Sequence, residues 1–378
     1  MSSEAAGSGG GAAPLVDWAV AERVARWTIA RKPPPAGYRP AELQAEFDRL
    51  TARAEELVGA STGLRSPAGP ARARVADRGA WVSANVASMR RLLAPALDKL
   101  ADRRSQSWWA AQSQRLPGPL AGASRSASGA QLGLVLAFMS SRVLGQYDLL
   151  LTDESPEDQD IVYYVGPNVV EMERQHGFSP SEFRLWLALH EVTHRCQFTG
   201  VPWLRSHFMG LVEQGLESVT ADPRRLADGV RRAADAVRNR QNPLDEAGLI
   251  GLVASPEQLE ALQRIQALMS LLEGHGDVTM DRAGAEAVPG AEGFAAVLRE
   301  RRERASGPAK LLQKVLGLEA KLRQYAEGEH FVRAVEAAGG RDLFDRVWRG
   351  PEWLPSLHEI RHPEDWVARV GTPPALAG

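Results

Sequence analysis

The chain has very little cysteine, because its 378 residues include a single one, Cys196. One cysteine excludes an intramolecular disulfide and every metal site built from several thiolates. His, Asp and Glu are then the side chains able to hold a metal ion, and Cys196 is expected to be a small buried apolar residue. Because such low cysteine content is typical of a reducing compartment, we expect a cytoplasmic protein.

The chain also lacks an excess of charge and a long apolar run. Its 45 Lys and Arg residues nearly balance its 47 Asp and Glu residues, so the net charge is −2 and gives no general attraction for nucleic acid. The longest uncharged stretch with helical character, between Arg125 and Arg142, is shorter than the roughly 20 apolar residues that span a bilayer. We therefore expect no nucleic-acid partner and no membrane span.

The remaining composition is that of a folded protein, with 44% hydrophobic and 24% charged residues. Apolar residues recur every three or four positions through most segments, which indicates helices. The pattern predicts helices over residues 16–31, 40–59, 80–100 and 131–144. Stretches rich in Gly, Pro, Ala and Ser lie between them and predict loops over residues 61–70 and 116–129.

Three regions follow from these patterns. Residues 1–13 are mostly Gly, Ser and Ala and are predicted to form a disordered tail. Residues 14–125 are predicted to be an N-terminal helical region, and residues 126–370 contain the segments with chemical character described below. Two short β-branched or aromatic runs, at 147–151 and 161–165, predict a hairpin. The fold class expected is mainly α with a small β-hairpin or sheet.

A well-delimited helix is predicted over residues 180–200. Ser179 can cap it, Pro180 suits its first position and Glu182 completes a capping box, whereas Gly200 and Pro202 end it.

Inside this helix the sequence HEVTH places His190 and His194 four residues apart. That spacing brings both imidazoles to one face of the helix, where a single metal ion can contact both. Glu191 projects about 100° away and lies beside the metal, where it can take a proton from metal-bound water. The alternative is two histidines on an ordinary core helix, each with its own partner.

A third metal ligand has to come from another part of the chain, and a carboxylate is the best candidate. Glu273 continues the apolar stripe of a second helix that opens with the capping signature Ser255-Pro-Glu-Gln258. A carboxylate on an inward face needs a cation or a hydrogen-bond partner. Glu213 and Glu217 are the rivals for this position.

Other polar residues are candidates for supporting roles. Asp277 follows Glu273 by one turn and could accept a hydrogen bond from a ligand imidazole, although Gly274 and Gly276 could end the helix before it. His275 is a candidate oxyanion stabiliser. Further candidates for that role are Tyr163, Tyr164 and Tyr325.

These segments resemble a family of actinobacterial zinc-dependent metalloproteases, also described as hydrolases associated with deazaflavin coenzyme biosynthesis. The resemblance rests on LALHEVTHRCQFTGVPWLRSHF, LMSLLEGHGDVTMD, GQYD, VGPN, KLRQYAEGEHFV and LPSLHEIRHPEDWVARV, and covers most of residues 130–370. It implies a Zn²⁺ ion held by His190, His194 and Glu273, with Glu191 as the catalytic residue. It also implies a mainly helical, zincin-like fold over residues 126–370, with a small sheet beside the active-site helix.

The function expected is therefore that of a zinc-dependent hydrolase of the gluzincin type, acting on peptide or amide bonds of a peptide or protein substrate. Glu191 is expected to act as the general base. The alternative is a non-catalytic scaffold or interaction module that keeps zinc for stability, since residues 14–125 carry no recognisable catalytic residue. An open fourth metal position would favour the enzyme, and a fourth protein ligand would favour the scaffold.

Overall fold

The structure is a computed structural model that describes residues 16–106, 118–147, 160–217, 255–303 and 318–371. Helices dominate it and a small sheet accompanies them, so the predicted fold class is confirmed. The predicted tail, residues 1–13, lies outside the described residues. The helices are α1 (Trp18–Ile29), α2 (Pro40–Thr62), α3 (Arg78–Gln106), α4 (Gly118–Ser140), α5 (Gly166–His176), α6 (Pro180–Gly200), α7 (Leu204–Glu217), α8 (Pro256–Gly284), α9 (Ala291–Glu303), α10 (Leu318–Phe344), α11 (Leu357–Arg361) and α12 (Pro363–Gly371).

The first three predicted helices are present as α1, α2 and α3, but the predicted loop over 116–129 is wrong where it is described. That segment belongs to α4. Its small residues serve close packing: a Cβ on Gly129 would lie 2.3 Å from the carbonyl oxygen of Asp17, and one on Gly133 would lie 2.4 Å from that of Ala21. Glycine in this helix therefore lets α1 approach, a tertiary effect that outweighs its poor helix propensity.

The sheet has three strands, β1 (Arg72–Ala76), β2 (Gly145–Tyr147) and β3 (Ile161–Val165), in the order β1-β3-β2. Strand β2 runs antiparallel to β3, which confirms the predicted pairing, although β2 begins two residues earlier than expected and residues 148–151 lie outside the described residues. Strand β1 pairs parallel with β3 and was not predicted, because its short run RARVA has little β character. All five residues of β3 are buried.

Both predicted regions contribute to the same cores. Phe47 of α2 stacks on Tyr164 of β3 with ring centroids 3.8 Å apart, and the hydroxyl of Tyr164 lies 2.8 Å from that of Thr51. The largest cluster of buried apolar residues combines α2 with α6 and α8. The cores thus join the two predicted regions, and the boundary at 125/126 stays a prediction. Among the described residues, no helix is both long enough and apolar enough to cross a membrane.

A buried cation ties α6 to the N-terminal region. The side chain of Arg195 is fully buried and donates to both carboxylate oxygens of Asp160, to Glu55 and to the carbonyl oxygen of Gly69. Asp160 has a positive φ of 57° at the start of β3. Because a buried charge is costly unless paired, this cluster fixes α6 against both α2 and β3.

Helix α8 crosses α10 at very short range through glycines. A Cβ on Gly328 would lie 1.9 Å from the carbonyl oxygen of Ser270, and one on Gly274 would lie 2.1 Å from the carbonyl carbon of Gly328. The two backbones therefore touch without intervening side chains, at residues of α8 that flank Glu273 in the sequence.

We predict that Gly328→Ala destabilises the protein by about 1–3 kcal/mol, because the added methyl group forces α10 away from α8. Gly210→Ala is the matched control, since a Cβ at that helical position meets no atom within 4 Å and alanine favours helix. Urea unfolding of both variants checks this. Equal stability of the two variants would contradict the close crossing.

Candidate metal centre

His190 and His194 lie one turn apart on α6, and their Nε2 atoms are 3.2 Å from each other. The helix begins after Ser179 and ends at Gly200, as predicted, but the predicted capping box does not form. Instead, a carboxylate oxygen of Glu182 accepts a hydrogen bond of 2.9 Å from the backbone N–H of Gly290. The start of α6 is thus tied to the segment before α9.

Glu273 of α8 faces these two imidazoles. Its Oε2 lies 3.5 Å from the Nε2 of His194 and 3.8 Å from the Nε2 of His190. Helix α8 opens with the predicted capping box of Ser255 and Gln258 and continues to Gly284, so the glycines beside Glu273 do not end it.

The spacing of the three atoms suits a zinc ion. Zn–N bonds of about 2.0–2.1 Å in a tetrahedron place neighbouring ligand atoms about 3.3–3.4 Å apart, and the observed separations are 3.2, 3.5 and 3.8 Å. Within the described part of the chain, His190, His194 and Glu273 are the one group of His, Cys, Asp and Glu close enough to share an ion. Two imidazoles and a carboxylate are also a zinc-type donor set.

Glu191 lies beside this group and is buried, with 6% of its surface exposed. Its Oε2 accepts a 3.0 Å hydrogen bond from the backbone N–H of Tyr147 in β2. The backbone of Gly145 passes so close that a Cβ there would lie 2.6 Å from Oε1 and 2.7 Å from Cγ of Glu191. Strand β2 therefore holds this carboxylate in one position.

Burial and mutual charge shift the acidities in the site. Burial raises the pKa of Glu191 to about 7, with a further rise from Glu273, against a lowering by His194 and by the Tyr147 hydrogen bond. Burial alone would lower the pKa of His194, but the neighbouring Glu273 outweighs it and raises that pKa to about 9. Glu191, His194 and Glu273 thus influence one another's protonation.

The rival carboxylates take other positions or cannot be placed. Glu213 is exposed on α7, away from the cluster. The side chains of Glu217 and Tyr325 lie outside the described residues. Asp277 is partly buried on α8, one turn beyond Glu273, and its contact with an imidazole stays a prediction.

Among the candidate oxyanion donors whose side chains are described, His275, Tyr163 and Tyr164 each have partners other than the three clustered residues. His275 stacks on Phe344 at a centroid distance of 5.5 Å and packs edge-on against Trp348. Burial is the largest cause that lowers its pKa, to about 3. Tyr164 is committed to Thr51 in the core, and the hydroxyl of Tyr163 lies 3.4 Å from Nη1 of Arg74.

Comparison with known proteins identifies the family. The family model for zincin-like metallopeptidases matches residues 16–367. The chain belongs to the zincin-like metallopeptidase family. A solved structure described as "a putative hydrolase with a novel fold from Chloroflexus aurantiacus" has 30% sequence identity and a TM-score of 0.67, with 95% of this chain and 100% of that chain covered. No curated protein matches the chain.

Three residues near this site were not predicted from the sequence, namely Gly145, Tyr147 and Gln197. Tyr147 and Gly145 act through their backbone, so their side-chain types give no signal of a role near Glu191. Gln197 lies three residues after His194, and its Oε1 is 3.0 Å from the Nδ1 of that imidazole. Its helical spacing from His194 was available in the sequence.

We predict that Gly145→Ala destabilises the protein by about 1–3 kcal/mol, because its methyl group would overlap the carboxylate of Glu191. In a Glu191→Ala background the overlap is absent, and the same substitution is then expected to cost much less. Urea unfolding of the wild type, both single variants and the double variant measures this coupling. An equal cost in both backgrounds would show that Gly145 does not contact Glu191.

Proposed function

We propose that this protein is a zinc-dependent hydrolase of peptide or amide bonds, in which His190, His194 and Glu273 hold the zinc and Glu191 is the general base. The observation that carries the proposal is the triangle of three ligand atoms, 3.2–3.8 Å apart, with a buried carboxylate beside it. Membership of the zincin-like metallopeptidase family supports the hydrolase class and a peptide substrate.

A zinc ion held by His190, His194 and Glu273 would supply Lewis acidity toward water and toward the carbonyl of the scissile bond. Glu191 accepts a proton from the attacking water as the water oxygen bonds to the carbonyl carbon. When the carbon–nitrogen bond breaks, Glu191 returns that proton to the leaving amine. The N–H of Tyr147 and the backbone at Gly145 keep the carboxylate in place through both transfers.

Exposure favours catalysis over a purely structural zinc site. The side chain of His190 is 24% exposed, compared with 13% for His194 and 11% for Glu273, so solvent reaches the cluster from the His190 side. A structural site normally has four protein ligands, whereas the group found among the described residues has three. The scaffold alternative is thus the weaker of the two.

The substrate, the cellular location and the biosynthetic association are more detailed predictions than the reaction class. A peptide or protein substrate and cytoplasmic action stay predictions, as does the association with deazaflavin coenzyme biosynthesis, for which none of the contacts described above provides support.

We predict that purified wild-type protein binds one zinc ion per chain and that His190→Ala loses it, because one of three ligands is removed. Elemental analysis after dialysis against a weak chelator measures the content. His176→Ala is the control, since His176 is exposed at the end of α5 and stacks on Phe178, and it should keep its zinc. Wild-type protein without stoichiometric zinc would overturn the proposed function.

We predict that Glu191→Gln keeps its zinc and its stability but loses about 10²–10⁴-fold in hydrolysis, the usual contribution of a general base. The amide oxygen can still accept from Tyr147, so the fold is preserved. Cleavage of unfolded casein and of a mixed peptide library, followed by mass spectrometry, measures the rate.

Glu182→Gln is the matched control, because the same chemical change is made at the start of α6, where the side-chain oxygen can still accept from Gly290. It is expected to hydrolyse at the wild-type rate. Undiminished hydrolysis by Glu191→Gln would remove this residue from the mechanism.

A further inference from the structure

Gln197 is fully buried on α6 and makes three polar contacts with its carboxamide. Its Oε1 lies 3.0 Å from the Nδ1 of His194. Its Nε2 donates to the carbonyl oxygen of Leu272 at 2.9 Å and lies 2.9 Å from the Nδ1 of His275. Each contact joins it to α8 or to a proposed zinc ligand.

The partners of the carboxamide decide which way it points. A backbone carbonyl oxygen only accepts hydrogen bonds, so the atom of Gln197 next to Leu272 has to be the donating nitrogen. The oxygen of the amide then has to face His194. The second hydrogen of the nitrogen is directed at His275, whose Nδ1 accepts it.

This orientation fixes the form of the His194 imidazole. An amide oxygen only accepts, so the Nδ1 of His194 has to carry a proton and donate it to Gln197. In the neutral ring the lone pair is then on Nε2, and that atom is the one facing His190 and Glu273. A metal needs a neutral imidazole with its lone pair on the side of the ion.

The contact with Leu272 adds a second constraint. Leu272 directly precedes Glu273, so the hydrogen bond from Gln197 sets the distance between α6, with its two histidines, and α8, with the carboxylate. His275 is itself held in place by Phe344 and Trp348. The oxygen of the carboxamide is therefore held by His194, and its nitrogen is held by Leu272 and His275.

We propose that Gln197 is a positioning residue for the zinc site, which holds His194 in the metal-binding tautomer and fixes the spacing of α6 and α8 through Leu272 and His275. This inference rests on the proposed zinc site. Partners of this kind commonly change metal affinity by about 10–100-fold when they are removed.

The test is the zinc dissociation constant of the full-length protein, measured by competition with a fluorescent zinc chelator. Gln197→Met keeps the length of the side chain but removes all three polar contacts, and we expect zinc to bind about 10–100-fold more weakly. Gln197→Glu keeps an acceptor for the Nδ1–H of His194 while losing the donor to Leu272. We expect its zinc affinity to lie between those of the wild type and Gln197→Met.

The stability of the metal-free variants separates positioning from packing. A buried carboxylate facing a carbonyl oxygen should make metal-free Gln197→Glu melt below metal-free Gln197→Met, so the order of stability is expected to be opposite to the order of zinc affinity. If zinc affinity instead follows the melting temperature, Gln197 acts by packing alone and the proposal fails.

Thr193→Val is the control on the same helix, because the buried Thr193 hydroxyl donates within α6 to the carbonyl oxygen of Leu189. The zinc affinity of this variant should change less than about twofold.

His275→Phe tests the contact between His275 and the carboxamide nitrogen of Gln197. Phenylalanine can still stack on Phe344 but offers no acceptor to Gln197, so zinc binding should weaken by up to about 10-fold. In the Gln197→Met background the same change should have no further effect. This variant also keeps the proposal testable if Gln197→Met does not fold.

Different results would contradict the proposed zinc site and the proposed role of Gln197. Wild-type protein that binds no zinc would overturn the proposed function. Wild-type protein that binds zinc as tightly as Gln197→Met does, within about twofold, would overturn the role of Gln197 and leave the zinc site standing.

Discussion

The distance between helices α6 and α8 is the constraint on which the site depends. Two ligand-type atoms come from one helix and the third from the other, and separations of 3.2–3.8 Å leave little room for either helix to shift. Gln197 donates to the carbonyl oxygen of Leu272, next to Glu273. Glycines bring α10 into backbone contact with α8 at Ser270 and Gly274. Both contacts restrict movement of α8 where it carries Glu273, which is the kind of preorganisation that metal sites need.

The N-terminal region helps to explain how Glu191 is held. It carries none of the residues proposed for catalysis, yet α2 supplies Glu55 to the buried Arg195 next to His194, and β1 pairs with β3. Strand β3 in turn carries β2, the strand that contacts Glu191. Residues 40–76 therefore support the elements that carry the site. Loss of α2 or β1 would affect the position of Glu191 through the sheet.

The sequence predicted the parts of this arrangement that depend on local patterns. Four-residue spacing paired His190 with His194, the apolar stripe pointed Glu273 inward, and Ser255 with Gln258 gave the start of α8. It could not predict features set by tertiary contact. Gly129 of α4 packs against α1 although its segment suggested a loop, and Glu182 reaches Gly290 although it suggested a capping box. His275 faces Phe344 because α10 packs there, and no local pattern indicates that neighbour.

Anomalous diffraction at the zinc edge, from crystals of protein purified without added metal chelator, tests the central claim most directly. The account predicts one strong peak within about 2.0–2.2 Å of the Nε2 atoms of His190 and His194 and of a carboxylate oxygen of Glu273, with Glu191 beside it and not bound to it. A peak at other residues, or a fourth protein ligand at this one, would contradict the account.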